Sequence, residues 1–403
     1  MKTGISVNRV PLARRAARLV PTLPAAEPAD IISFGSGHGC PAVFPDLTEA
    51  AKAALNKHRP ETLQYGPTLG LPGMRAWIAR HVMENGARDI GPDNVLVVNG
   101  AKNGLGLIGR LLLDEGDAVV VTAPTYFTCI PIFKTFGVSF YEVSQDEQGL
   151  VVSELEETLA RIRDEGKPLP KLVYNVPDYH NPSGVTMSLE RRQGLVSAAE
   201  KFGVYVVEDS PYRKVRFEGE PLPLLKAFDA SGTVIVLGTV SKLVAPGLRI
   251  GWVVATEDLI ARLAQLKSDL GTSPLAQRII LEFVTTGGGY ARHQKNVRET
   301  YRAHRDAMVA ALRRELPEVR FTVPQGGYYL WLTLPPRIDA DKLAARAFEE
   351  KVGIIPGSKF YAGKGPKGLG APTNNVRLCY SHAEPEEIEE GIKRLARAYR
   401  SLG

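Results

Sequence analysis

Through the middle of the chain, short apolar runs alternate with longer segments of helical periodicity. The runs at 94–99, 117–122, 171–175, 204–208 and 233–237 are rich in valine and isoleucine and have few polar interruptions. Strands that read this way are buried on both faces, as in a parallel sheet. Between and around them, apolar residues recur every three or four positions at 46–57, 71–84, 101–113, 126–136 and 189–202, which predicts helices. Strands alternating with helices predict an α/β architecture with a mostly parallel sheet covered on both sides.

After about residue 255 the pattern changes. Long helices are expected near 256–270, 273–286 and 290–315, with the Gly287-Gly288-Gly289 run as a break. A strand pair near 319–323 and 327–333, a helix near 340–350, a strand near 375–380 and a final helix at 384–401 complete the chain. The glycine- and lysine-rich stretch 363–370 reads as a mobile surface loop. The first 45 residues are rich in proline. Within them, 11–20 is basic and amphipathic, a pattern shared by transit peptides and by short surface helices. No apolar secretory segment follows it, so a surface helix is expected.

Composition narrows the picture only slightly. With 403 residues, 44% of them hydrophobic and 23% charged, the chain can bury a large core without disulfide staples. Its three cysteines, Cys40, Cys129 and Cys379, are widely spaced and form no framework, which points to a reducing, cytoplasmic setting. No apolar run approaches the roughly 18 residues of a membrane helix. The net charge of +6 leaves anionic partners of any size open.

The seven histidines form no HExxH and no Cys/His cluster, so no metal site is expected. There is also no P-loop and no GxSxG elbow. The most informative stretch is 238–252, Gly-Thr-Val-Ser-Lys-Leu-Val-Ala-Pro-Gly-Leu-Arg-Ile-Gly-Trp. It places Lys242 in a turn of small residues just after a strand. A lysine partly desolvated there has a lowered pKa and becomes a nucleophile toward carbonyls. Arg249, seven residues on, suits a phosphate. Asp209 stands at the carboxyl end of another strand, where ligands of open α/β sheets bind. His180-Asn181-Pro182 forms a turn after a third strand. At Asn99-Gly100-Ala101-Lys102 a strand meets a helix whose first N–H groups suit an anion.

Together these stretches resemble the fold-type-I pyridoxal-phosphate enzymes of the class I/II aminotransferase family, and within it the 2-aminoadipate/kynurenine-type subgroup. The resemblance extends through Ile32-Ser33-Phe34, Phe44-Pro45, 63–70 (Leu-Gln-Tyr-Gly-Pro-Thr-Leu-Gly), Pro124-Thr125-Tyr126, 324–331 (Pro-Gln-Gly-Gly-Tyr-Tyr-Leu-Trp) and Asn375-Val376-Arg377-Leu378. It implies a large α/β domain over 46–290 with a seven-stranded, mostly parallel sheet, and a small α+β domain built from 1–45 and 291–403. It also implies pyridoxal 5'-phosphate as cofactor, a homodimer, and amino acid and 2-oxo acid as substrates.

Roles follow position by position from the resemblance. Lys242 would bond to the cofactor aldehyde and carry the proton. Asp209 would pair with the ring nitrogen, Asn181 and Tyr212 with the ring oxygen, and Tyr126 would stack on the ring. Gly100, Ala101, Lys102, Thr239, Ser241 and Arg249 would hold the phosphate, joined by Tyr65 of the neighbouring subunit. Arg377 would clamp the substrate carboxylate, with Asn181 and Gly37 alongside. The aromatic residues Tyr328, Tyr329 and Trp331 are expected to be core of the small domain.

Two positions depart from the family pattern. The phosphate turn carries Ala101-Lys102-Asn103, which suits binding by the backbone. His38 lies in the glycine-rich loop 35–40, either as a solvated loop residue or as a second acid/base near the substrate. The second role would fit elimination, replacement, decarboxylation, cyclisation or oxidation in place of transamination. A DNA-binding regulator of the same family is the remaining alternative. Arg14-Arg15 and the lysines at 364 and 367 are weak footprints for it, and neither nucleic acid nor membrane is expected as a partner.

Overall fold

Eight strands form the main sheet of the computed structural model, which describes residues 13–19, 28, 30–363 and 365–403. In chain order the elements are β1 (Ile32–Ser33), α1 (Thr48–Lys57), α2 (Arg59–Leu63), α3 (Pro72–Met83), β2 (Val95–Val98), α4 (Ala101–Leu112), β3 (Ala118–Ala123), α5 (Cys129–Lys134), β4 (Ser139–Asp146) and β5 (Gly149–Leu150). Next come α6 (Val152–Asp164), β6 (Leu172–Asn175), α7 (Leu189–Phe202), β7 (Tyr205–Asp209), β8 (Val234–Thr239), β9 (Gly251–Val254), α8 (Glu257–Leu266), α9 (Pro274–Thr285) and α10 (Gly289–Glu315). The chain ends with β10 (Arg320–Phe321), β11 (Tyr329–Thr333), α11 (Ala340–Glu349), β12 (Val352–Gly353), β13 (Ile355–Pro356), β14 (Asn375–Cys379) and α12 (Pro385–Arg400).

The strand order is β2-β9-β8-β7-β6-β3-β4-β5. Strands β8, β7, β6, β3 and β4 pair in parallel, whereas β9 runs antiparallel between β2 and β8. The five apolar runs picked out in the sequence are all strands of this sheet. The expected seven strands become eight because the tiny β5 folds back on the end of β4. Two strands escaped the pattern. Strand β4 is only half-buried and carries Ser139, Glu142, Ser144, Gln145 and Asp146. Strand β9 has just four residues and begins at a glycine. Helix α6 was also passed over, although Leu155, Leu159 and Ile162 lie buried along one face at helical spacing.

A second core gathers Phe34 with residues from α10, β11, α11, β14 and α12. Its antiparallel sheet runs β10-β11-β14-β13. Strand β1 pairs with β12, Ile32 against Val352, and stitches the start of the chain to this part. Helix α10 serves both cores: Val297 and Tyr301 pack in the first, Met308 and Leu312 in the second. Of the expected surface helix 11–20, Arg14–Arg18 form a 3₁₀ turn, and the positions at either end of that stretch lie outside the described residues. In the glycine-rich loop, the N–H groups of Ala362 and Gly365 donate to Glu142. Lys364 lies outside the described residues. No described helix is long and apolar enough to cross a membrane.

The loop between β6 and α7 carries Asn181, and a buried charge cluster fixes it. Asp178 accepts from Arg192 at 2.7 Å and Arg213 at 3.0 Å, and all three side chains are at least nine-tenths buried. Arg192 also donates to the carbonyls of Pro177, Met187 and Pro223. Burial pushes the Asp178 carboxyl up, but the two guanidiniums outweigh it and hold the pKa below the usual value. Breaking a buried pair leaves an uncompensated charge, at a cost of about 3–5 kcal/mol. Asp178→Ala is therefore expected to lower the free energy of unfolding in urea titrations by an amount of that order. Because the folded pKa is depressed, the wild-type contribution is present above the unfolded pKa and is lost as pH falls through the folded value. The difference in stability between wild type and Asp178→Ala should therefore shrink in acid.

Candidate active site

The carboxyl ends of β2, β6, β7 and β8 open on one side of the sheet, where an open α/β sheet binds ligands. A cavity of about 230 Å³ lies there. Gly100, Ala101, Lys102, Tyr126, Asn181, Asp209, Tyr212, Thr239, Ser241, Lys242 and Arg249 all line it, together with Leu105, Val176, Pro211 and Pro246. Strand ends and the start of α4 thus bring together residues that span 150 positions of sequence.

Asp209 is the last residue of β7 and is 5% exposed. One carboxylate oxygen accepts from the Tyr174 hydroxyl at 2.7 Å; the other is buried without a hydrogen-bond partner. Burial pushes this carboxyl up to about 6, with Tyr174 and Lys242 pulling the other way. A buried carboxylate oxygen with no partner costs free energy unless a cationic group meets it.

Lys242 follows the end of β8. Its ammonium donates to the carbonyl of Gly37 at 2.8 Å, and its own carbonyl accepts from the Tyr328 hydroxyl at 2.6 Å. Burial lowers its pKa, and the charges of Arg377 and Arg249 act in the same direction. Gly37 must be a glycine here, because a Cβ would stand 2.5 Å from the Tyr329 hydroxyl.

At the N-terminus of α4 no side chain caps the helix, so the first N–H groups are free for an anion. Arg249 adopts a left-handed backbone conformation (φ +54°) and donates to the carbonyl of Asn99 at 3.2 Å. Its guanidinium packs so tightly on Gly100 (φ +83°) that a Cβ there would lie 2.6 Å away. Thr239 and Ser241 place their hydroxyls 2.9 Å apart beside it.

Arg377 comes from β14 and is 2% exposed. It donates to Asn181 at 3.0 Å and to the carbonyl of Gly35, while its Nε is buried without a partner. The ring of Tyr329 lies 4.4 Å from the guanidinium carbon, and those of Phe360 and Phe127 at 5.1 and 5.5 Å. No carboxylate among the described residues forms an ion pair with it. Tyr212 places its hydroxyl 3.1 Å from that of Tyr329. Tyr328 and Tyr329 are buried, but in the core under the main sheet and not in the second core expected for them, and Trp331 is only half-buried; the two tyrosines also touch Lys242, Gly37 and Arg377.

The cavity lining leaves out four of the expected residues: Arg377 and Gly37, which reach it through their bonds to Asn181 and Lys242, and Tyr65 and His38. Tyr65 is 81% exposed on the loop after α2. His38 is exposed; its carbonyl accepts from Ser381, and its ring lies 6.0 Å from that of His382. Sequence reasoning missed Tyr174, which sits inside an apolar strand and reads there as core.

A lysine amine, a buried carboxylate with one oxygen unpartnered and an anion cradle thus share one cavity. The family model for aminotransferase class I and II matches residues 29–395. The chain belongs to this family. It is 37% identical to aromatic-amino-acid aminotransferase 1 of Thermococcus litoralis, over 96% of this chain and 92% of the relative. Among solved structures, the kynurenine aminotransferase of Pyrococcus horikoshii matches with a TM-score of 0.87 and 36% identity, covering 93% of this chain and 91% of that one. The alpha-aminoadipate aminotransferase of Thermus thermophilus, complexed with N-(5'-phosphopyridoxyl)-L-leucine, matches with a TM-score of 0.84 and 35% identity over 93% of each chain. The protein is an aminotransferase, and pyridoxal phosphate is its cofactor.

Asp209 gives the cofactor-free aminotransferase a signature. Its folded pKa is raised, so its contribution to stability is full below the unfolded pKa, near 3.8, and is lost as pH rises through about 6. Asp209→Asn keeps an acceptor for Tyr174 and should flatten this part of the profile. Urea midpoints at intervals from pH 4 to 7 for both proteins check it; parallel profiles would refute the assignment.

Proposed function

We propose that this aminotransferase moves the amino group of an L-amino acid to a 2-oxo acid, with each residue of the cavity in the role its geometry suits. The unpartnered Asp209 oxygen, buried in the same cavity as Lys242, carries this reading, because it calls for a cationic ring nitrogen. Pyridoxal phosphate, when bound, supplies a cationic aromatic ring that draws electrons from the amino acid's α-carbon.

The chain's own residues do the rest. Asp209 holds the ring's positive charge in place. Burial disfavours the charged form of Lys242, whose amine, when neutral, can take a proton at the α-carbon and return one. Asn181, whose carbonyl oxygen is occupied by Arg377, has its amide N–H free to donate to the ring oxygen, and the Tyr212 hydroxyl supplies a second donor. Tyr126 offers its ring as a stacking face. The N–H groups of Ala101 and Lys102, the hydroxyls of Thr239 and Ser241, and Arg249 receive the phosphate dianion. Arg377, with Gly37 leaving room beside it, receives the substrate carboxylate.

The domain division at 46–290 belongs to this reading, as does a cytoplasmic homodimer in which Tyr65 completes the partner's phosphate site. The exposure of Tyr65 and the three buried free cysteines support it. Names of the relatives point to aromatic amino acids, kynurenine and 2-aminoadipate as the side chains to test first. A panel of amino acids with 2-oxoglutarate, read by mass of the 2-oxo acid formed, decides among them; ammonia release without that product would overturn transamination.

Lys242→Ala should lower turnover by at least about 10³-fold with the fold retained, the scale expected when acid–base catalysis is lost. Arg377→Lys keeps the charge but not the fork, so KM for the amino acid should rise about tenfold or more with a smaller change in kcat. His38→Ala should leave the product distribution unchanged, since its side chain is exposed and makes no bond to a residue of the cavity.

A further inference from the structure

Cys40, His304 and Glu384 meet where the glycine-rich loop 35–40 crosses α10 and the start of α12. Among the described residues this is the one group of three or more Cys, His, Asp or Glu side chains close enough to share a metal ion. The Cys40 sulfur lies 3.0 Å from Glu384 Oε1, and His304 Nε2 lies 3.5 Å from Glu384 Oε2. All three ligand atoms fall within 4.8 Å of one another. In a tetrahedral zinc site, bond lengths of about 2.0–2.3 Å put neighbouring ligand atoms roughly 3.3–3.7 Å apart. Cys40 and His304 are buried, and Glu384 reaches them from a half-exposed position, which leaves a path for an ion.

The histidine is set up for coordination. Its Nδ1 lies 3.1 Å from the carbonyl of Tyr380, which can only accept, so the ring proton belongs on Nδ1. The Nε2 lone pair then faces the Glu384 carboxylate, two acceptors turned toward each other. Donation of the second ring N–H to a backbone carbonyl is the usual support of a metal-bound imidazole. A thiolate, an imidazole and one carboxylate together favour zinc over magnesium or calcium.

We propose that Cys40, His304 and Glu384 form a zinc site, with water in the fourth position. Binding releases the thiol proton of Cys40 to solvent, and the thiolate, imidazole and carboxylate bind the cation. No spacing in the sequence announces such a site, because the three residues are brought together only by the crossing of loop and helices. The ion ties the end of the loop to both helices. The same loop presents the Gly35 carbonyl to Arg377 and the Gly37 carbonyl to Lys242.

The test uses the holoenzyme, freed of metal by a chelator and titrated with zinc against a chromophoric zinc indicator. One ion per chain is expected in wild type, with at least tenfold weaker binding in each of Cys40→Ser, His304→Gln and Glu384→Gln. Zinc should raise the melting temperature of wild type and not of the variants. Cobalt should give the long-wavelength bands of a tetrahedral thiolate site, beyond the cofactor's absorbance, and Cys40→Ser should abolish them. Metal-free melting curves establish that each variant is folded, and Glu384→Gln, at a half-exposed position, serves if His304→Gln is not. Equal zinc affinity in wild type and variants would place the ion elsewhere and overturn the proposal. Absence of binding at micromolar zinc would overturn it too, leaving a histidine–carboxylate pair with a hydrogen-bonded thiol.

Discussion

The removal of Asp209 and Lys242 from water is the constraint on which the rest of the site depends. Strands β7 and β8 pair in parallel, with Asp209 opposite Leu237, so the carboxylate ends up beside the turn that carries the lysine. Burial acts on the two groups in opposite chemical senses. It raises the acid and lowers the amine, and each becomes readier to react or to pair than it would be in solvent. Each group is bonded to something other than its counterpart. Tyr174 occupies one carboxylate oxygen, and the Gly37 carbonyl occupies the amine.

The second core supplies what the sheet cannot. Arg377 reaches the site from β14, and its bonds to Asn181 and to the Gly35 carbonyl join three distant segments around one guanidinium. Three aromatic rings flank that cation and give it no counter-charge, so a carboxylate arriving from solution meets an arginine already oriented. The buried Asp178 cluster holds the Asn181 loop from behind in the same way. Both are buried charges that hold a loop, and both exchange desolvation cost for fixed geometry.

Much of this was legible beforehand, and the exceptions have physical causes. The central strands announce themselves because burial on both faces leaves few polar residues in them, and those mostly at the strand ends. Strand β4 lies near the sheet edge with polar residues in its pattern, and β9 is too short to show a period. Lys242, Asp209, Asn181, Arg249 and Arg377 stand in stretches whose spacing carries the family resemblance. Tyr174 gave no signal, since a tyrosine among valines reads as core until its hydroxyl is seen to meet a carboxylate. Gly37 was among the expected residues, but the bond from Lys242 to its backbone carbonyl is a contact that no residue type announces.

The sequence by itself determined the parallel sheet, the family and most of the residues that line the cavity, because local period and motif spacing are properties of neighbouring positions. Only the tertiary structure decided which of those groups are desolvated, which oxygen of Asp209 is left without a partner, and that His38 points into solvent. It alone brought Cys40 to His304 and Glu384. Burial and distance depend on how segments far apart in the chain pack, and no window along the sequence contains them.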